Sequence, residues 1–256
     1  MERKKRILTI LIFVLSFSLI QNVNTSDSAT VFAASDDIEI TKSNFLDYFQ
    51  VNGDATYDST TGLLNLTKNQ MGSVGNASLN TKVDFTKPFT LKLSVNLGDK
   101  SQAQAGADGI GFVFHTDSIN SIGTEGNGFG AGNLNNVVGF KLDTNWNNHD
   151  QTHIYALKDP NSPGYDRSFG AFMYTDSNRY VTTYQTSDTA AEVKEIPNPV
   201  SNTFRDFEIN YDGINTMHIT YDGISWSLNV VDTFNMTELL RSFCISSSTG
   251  YYFNLH

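Results

Sequence analysis

The stretch G-F-K-L-D-T-N-W-N, Gly139 to Asn147, is an apolar run that breaks on a carboxylate. Val137 to Asp143 has the length and β-rich composition of a strand. Asn145 and Asn147 follow Asp143 at two-residue steps. A carboxylate and a carboxamide four residues apart, with a free backbone carbonyl between them, make a cluster of hard oxygen donors. Such donors suit Ca²⁺. Asp and Asn are also common wherever strands end, so the spacing alone favours an ordinary turn.

Outward from this point the chain reads as strands joined by turns. Phe89 to Leu97, Gly109 to His115, Phe169 to Tyr174, Tyr180 to Gln185 and Phe204 to Tyr211 are short runs of β-branched and aromatic residues. Thr216 to Tyr221, Ser225 to Val231 and Phe243 to Ser247 continue the series. Clusters of Gly, Asn, Asp and Ser separate them. Tyr211-Asp212-Gly213 and Tyr221-Asp222-Gly223 are hairpin signals. Phe45 to Phe49 and Thr237 to Arg241 each read as one helical turn, and nothing sustains a helical period. Strand count and turn spacing predict an all-β fold, a two-sheet antiparallel β-sandwich. No linker or repeat divides residues 35 to 256. Gly98 to Gly109 and Ser118 to Asn136 are polar, Gly-rich loops of the kind that carry binding surfaces on a rigid scaffold.

The first 33 residues read as a secretory signal peptide. Arg3, Lys4, Lys5 and Arg6 form a basic start, and Ile7 to Ile20 an apolar core too short for a stable span. Val31-Phe32-Ala33 offers a small-residue cleavage site before Ala34. The mature protein, residues 34 to 256, is therefore expected outside the cell as one soluble domain, secreted or held at the surface, with no membrane insertion. Asn254-Leu255-His256 reads as mid-strand, so the last strand is expected to be cut short. The formal charge of -10 argues against nucleic acid and anionic membranes as partners. Cys244 is the one cysteine, so no intrachain disulfide can help the core. Export without disulfides fits a Gram-positive bacterium. Cys244 sits in an apolar strand and reads as an inert core residue.

Several motifs then stand in one order. Gly106-Ala107-Asp108-Gly109 precedes the strand Ile110 to Phe114. The Gly-rich loop Gly126 to Gly132 comes next, then Asp143-Thr144-Asn145-Trp146-Asn147, then Asp159-Pro160. Phe169-Gly170-Ala171-Phe172 opens a further strand, and Ser247 to Gly250 closes the series with S-S-T-G. This order, with the opening F-L-D-Y-F-Q-V-N-G-D-A-T-Y of Phe45 to Tyr57, resembles the L-type (legume-like) lectins. Within them it resembles the lectin modules of Gram-positive serine-rich surface adhesins. The resemblance covers roughly residues 40 to 256.

The resemblance implies a concanavalin-like jelly roll in which a Ca²⁺ ion fixes loops around a shallow sugar site. It implies that Asp143 and Asp159 are metal carboxylates and that Asn145 donates its backbone carbonyl. Asn147 would bind the metal through its oxygen and sugar through its NH₂. Asp108 would bind sugar, after a cis bond to Ala107. Sugar hydroxyls donate to a carboxylate and accept from an amide, so the assignment is chemically coherent. Backbone N–H groups around Gly128 could approach a sugar closely, since Gly has no side chain. Asp150 and Asp166 compete with Asp159 for the second carboxylate. Sialylated or galactose-type host glycans are the ligand class the resemblance suggests.

Two departures stand out. Plant-type members carry an acidic residue two positions before the Ca²⁺ Asp, for a transition metal. This chain has Lys141 there, so one Ca²⁺ and no transition metal are expected. His149 and His153 read as residues of a flexible loop. The aromatic platform for sugar, often at the position of Asn145, is here one residue on at Trp146, with Tyr251 a second candidate. A glycoside hydrolase on the same sandwich is the alternative function, and a protein-binding sandwich is a third. Hydrolysis needs two carboxylates facing across the sugar. Glu39, Glu125, Glu192, Glu195, Glu208 and Glu238 offer no such pair on a central strand, so a non-catalytic domain is expected.

Overall fold

In the computed structural model, residues 8–11, 15–18, 37–199 and 201–250 are described, with side chains from residue 39 onward. The strands form two large antiparallel sheets and one small pair. One large sheet runs Ile224–Asn229, Thr216–Tyr221, Arg205–Asp212, Pro88–Val95, Leu8–Leu11, Leu63–Thr67, Thr56–Asp58. The other runs Val181–Thr183, Phe169–Thr175, Val138–Asp143, Gly109–His115, Leu240–Ser248, Val74–Leu79, Phe49–Gly53. The short strands Lys194–Glu195 and Val83–Asp84 pair with Phe169–Thr175 and with the start of Leu240–Ser248. Leu15–Ser18 pairs with Asp37–Ile40. Two of these strands, Leu8–Leu11 and Leu15–Ser18, lie within the expected leader.

The core lies between the sheets. Phe112, Phe140, Leu142, Phe172 and Ile245 from one sheet meet Leu91, Phe207, Ile209, Ile219 and Trp226 from the other. The rings of Phe112 and Phe207 stack with centroids 3.7 Å apart. In the first sheet burial alternates along Arg205–Asp212 and Thr216–Tyr221, because the other face meets solvent. In the second, every residue of Gly109–His115 and Val138–Asp143 is buried. Its outer face carries a second cluster, in which Val113, Met173 and Cys244 pack against Leu134, Ile154 and Ala156 of overlying loops. The Cys244 thiol is pushed up to about 12 by burial, so it is an inert core residue.

Most expected strands appear within a residue or two. The helical turn expected at Thr237 to Arg241 does not form, since Leu240 and Arg241 open the long strand Leu240–Ser248. The turn lies instead at Val230–Thr233, where the Asn229 side chain accepts from the Asp232 N–H as an N-cap. This ends the strand expected through Val231 at Asn229. Asp222 and Gly223, both at positive φ, make a two-residue hairpin loop. Tyr251 and Asn254 to His256 lie outside the described residues.

Candidate functional site

Strand register assembles the site. Phe140 and Leu142 point into the inter-sheet core, so Lys141 and Asp143 point to the opposite face, beneath the loops. Gly109 pairs with Asp143, which brings Asp108 beside the loop leaving Asp143. A Cβ on Gly109 would stand 2.1 Å from the Leu142 carbonyl oxygen, and its φ is +133°. Only glycine permits that approach. The Ala107–Asp108 peptide is cis, as the resemblance implies. The Asp108 N–H donates to the Ser248 carbonyl at 3.0 Å, and the Thr144 N–H donates to the Asp108 carbonyl at 2.9 Å. These bonds tie three segments together beneath one pocket.

The centre is a buried ion cluster. The Lys141 ammonium lies 2.7 Å from Asp143 Oδ2 and 2.6 Å from Asp159 Oδ1. All three residues are at most 3% exposed. Burial disfavours the ammonium, but the two carboxylates outweigh it and hold Lys141 above its ordinary value. Burial raises the Asp143 carboxyl against the pull of Lys141. One ammonium thus donates a charge-assisted bond to each of the two carboxyl groups. Thr183 Oγ1 also donates to Asp159 Oδ1, at 3.0 Å.

The other oxygen of each carboxylate faces the loop. Asp143 Oδ1 accepts from the Asn145 N–H and Asp159 Oδ2 from the Asn147 N–H, each at 2.9 Å. The Asp159 N–H returns to the Asn147 carbonyl at 2.8 Å. The four expected metal ligands are thus brought together. Asp150 and Asp166 are placed elsewhere. Asp150 accepts from the Lys158 N–H, and Asp166 accepts from the Ala103 N–H and braces that loop.

Two details differ from the expected ligand roles. The Asn147 NH₂ donates to the Asn145 carbonyl at 2.6 Å, and Asn147 Oδ1 accepts from Gln151 Nε2 at 2.9 Å. Ligation through Asn147 Oδ1 therefore requires its amide to turn over. The Asn145 side chain also reaches Asp108, donating to Oδ1 at 2.9 Å.

The donor set fits one Ca²⁺. It is all oxygen: two carboxylates, one carbonyl and one carboxamide. Asp143 Oδ1 and Asp159 Oδ2, the oxygens facing the loop, each accept one bond and retain a lone pair. Asp143 and Asp159 against Lys141 leave one formal negative charge in buried surroundings, with the Asp108 carboxyl close by, and a cation would be drawn to that charge. Among the described residues no three His, Cys, Asp or Glu side chains form a ligating group. The candidate set has two, completed by amide oxygens.

Above the cluster opens a pocket of about 420 Å³. Its walls include Asp108, Asn127, Asn145, Trp146, Asn147 and Tyr165. Asp108 is 1% exposed, and its Oδ2 makes no hydrogen bond of standard geometry among the described residues, with only the Gly250 N–H near it. Burial pushes its carboxyl up to about 7, opposed by the Asn145 amide. Asn127 Oδ1 is likewise buried without a partner. Asp108 is the one carboxylate on the described wall, whereas glycoside hydrolysis needs two.

Other expected residues sit differently. Gly128 is buried away from the pocket wall. Its N–H donates to the Glu125 carbonyl at 3.1 Å, so Gly126 and Asn127 face the pocket in its place. Trp146 lines the pocket, but its indole N–H donates to the Pro160 carbonyl at 2.6 Å. Its own carbonyl accepts from Gln102 Nε2 at 2.8 Å, which makes it chiefly a loop anchor. Tyr165, on the same wall and 63% exposed, presents a free aromatic face. Sequence reasoning missed it. The signal was P-G-Y-D, a turn displaying an aromatic six residues after Asp159.

A β-sandwich with a non-catalytic polar pocket over a strand-end oxygen cluster is the architecture of carbohydrate-binding domains of the lectin type. Residues 40–256 match the family model of the legume lectin β-barrel (L-type lectin) domain, and the chain belongs to that family. A "Serine-rich adhesin for platelets" of Staphylococcus aureus strain MSSA476 is 36% identical over 235 residues, 90% of this chain. Its counterpart in strain MRSA252 is 36% identical over 94% of this chain. The chain spans only 10% and 18% of the length of these relatives. Among solved structures, winged bean acidic lectin with methyl-α-D-galactose superposes with a TM-score of 0.52 at 19% identity, covering 80% of this chain and 85% of that one. The VIP36 exoplasmic/lumenal domain in its Ca²⁺/mannose-bound form gives 0.51 at 12% identity, covering 79% and 77%. Family and adhesin relatives together point to a non-enzymatic carbohydrate-binding domain.

Proposed function

We propose that this chain is a secreted, Ca²⁺-dependent glycan-binding module of an adhesin. Asp143, Asp159, the Asn145 carbonyl and Asn147 would hold one Ca²⁺. When bound, the ion supplies an anchor for Asn147 Oδ1. With its oxygen so anchored, the Asn147 NH₂ would face the pocket and donate to a sugar hydroxyl. Asp108 accepts from neighbouring hydroxyls, and its pose is kept by the Asn145 amide. Gly126 and Asn127 form the opposite wall. Tyr165, beside Trp146, offers the apolar platform for the sugar ring. Sialylated or galactose-type host glycans are the ligand class.

The observation that carries this reading is Asp108 Oδ2, a buried acceptor at the floor of an open polar pocket that makes no hydrogen bond of standard geometry and has only the Gly250 N–H near it. Burying an unmatched acceptor is costly, and a ligand hydroxyl would relieve that cost. A single shallow site binds weakly, so adhesion would draw on several copies. Retention on immobilised glycans in Ca²⁺, lost in EDTA and in Asp108→Ala, tests the proposal. Retention that survives both would contradict it.

A further inference from the structure

We propose that Lys141 is a built-in cation of this site, whose ammonium holds Asp143 and Asp159 in ligating positions so that the loop keeps its shape without a bound ion. The inference rests on reading those two residues as ligands, and it deepens that reading.

Two buried carboxylates turned toward one another repel strongly in a poorly solvated interior. Here the ammonium stands between them, within hydrogen-bond distance of both. It takes one oxygen from each, Asp143 Oδ2 and Asp159 Oδ1. The other two, Asp143 Oδ1 and Asp159 Oδ2, face the Asn145–Asn147 loop, where the backbone N–H groups already fix their direction. The cation side and the loop side of the cluster are therefore separate.

The ammonium is also held by its surroundings. Its Nζ lies 5.0 Å from the centroid of the Phe129 ring and 4.9 Å from that of Phe169. Such ring faces attract a desolvated cation. Lys141 is 2% exposed, so neither solvent nor salt can substitute for it freely. A tethered charge cannot dissociate as a free ion can. Its presence also disfavours a second free cation on that side of the carboxylates.

The test compares the chain with Lys141→Met by thermal unfolding, in excess EDTA and in excess CaCl₂. The wild-type chain is expected to stay folded in EDTA. Lys141→Met is expected to melt about 10 °C lower in EDTA, the scale of breaking a buried ion pair in a domain of this size. Ca²⁺ should restore much of that loss, so the Ca²⁺-induced shift becomes larger in the variant than in the wild type. No loss in EDTA, or equal losses in both media, would overturn the inference.

If Lys141→Met folds in neither medium, the triple variant Lys141→Met/Asp143→Asn/Asp159→Asn decides. Recovery of folding supports charge compensation, and continued failure makes Lys141 a packing residue and overturns the inference. A wild type indifferent to Ca²⁺ beside a variant that depends on it supports the inference and refutes wild-type ligation. If neither protein responds to Ca²⁺, both ideas fall.

Discussion

Replacing Asp159 with alanine probes the centre of the site. Asp159 is 3% exposed and accepts from Lys141 Nζ, Thr183 Oγ1 and the Asn147 N–H. Its removal strands one charged and two neutral donors and leaves Lys141 with Asp143 alone. Breaking a buried ion pair costs about 3–5 kcal/mol. Each neutral donor left dry adds about 1–3 kcal/mol, reduced where water enters the space left behind. A net loss of about 4 kcal/mol is expected. In a domain of this size each kcal/mol moves Tm by about 2–4 °C, so Tm should fall by about 10 °C in EDTA. Ca²⁺ should then give no further shift, because one of two carboxylate ligands is gone. Differential scanning calorimetry of both proteins, with and without Ca²⁺, reads both effects. A variant melting within about 2 °C of the wild type in EDTA, and still stabilised by Ca²⁺, would refute this account of the cluster.

Further expectations concern the pocket and the leader. Tyr165→Ala removes an exposed ring, so Tm should be unchanged while glycan retention weakens by roughly threefold to tenfold, the worth of one aromatic contact. Equal retention would leave the platform elsewhere. The Asp108 carboxyl is raised to about 7, above its ordinary value of 3.8, so the folded state holds its proton more tightly than the unfolded state. Its effect is thus absent below pH 4 and destabilises the metal-free fold increasingly as pH rises to about 7. The loss is roughly 4 kcal/mol at pH 7. Asp108→Asn should flatten that part of the Tm–pH curve in EDTA, and an unchanged slope would assign it to another group. Mass spectrometry of protein recovered from culture medium should place the mature N-terminus at Ala34. A secreted protein that retains residues 1–33 would refute the leader.

Much of this site could be read from residue order because strand register does the assembling. Asp108 ends one loop immediately before a strand, and Asp143 ends the neighbouring strand, so antiparallel pairing brings them together. Lys141 was legible in part. Residues two apart on a strand share a face, so its ammonium had to lie on the side of Asp143. That this face is sealed by loops, making the lysine an internal counter-ion, depends on packing of Phe129 and Phe169 that no local pattern records. Tyr165 reaches the pocket because the Asp166 N–H donates to Gln102 Oε1 and the Ala103 N–H donates to Asp166 Oδ1, partners more than sixty residues apart in sequence. The Asn147 amide was expected to serve metal and sugar, and its contact with the Asn145 carbonyl is a local bond that spacing does not distinguish.

The missed strands have a different cause. Val74–Leu79 is V-G-N-A-S-L, almost wholly buried yet poor in large apolar residues. Its buried amide Asn76 donates to the Ser121 carbonyl and accepts from Asn52 and Ser78, so polar ladders replace the expected apolar signal. A Cβ on Gly75 would lie 2.4 Å from the Ala55 nitrogen and the Leu66 carbonyl oxygen. Close backbone approach, which favours small residues, hides such a strand from hydrophobic patterning.

The most direct measurement is binding of this chain to an array of sialylated and galactose-terminated glycans. It would be run in Ca²⁺, in EDTA and with Asp108→Ala in Ca²⁺. The account predicts signal in the first case and none in the other two, with Asp108→Ala still folded and still stabilised by Ca²⁺. Equal glycan signal in all three would contradict it.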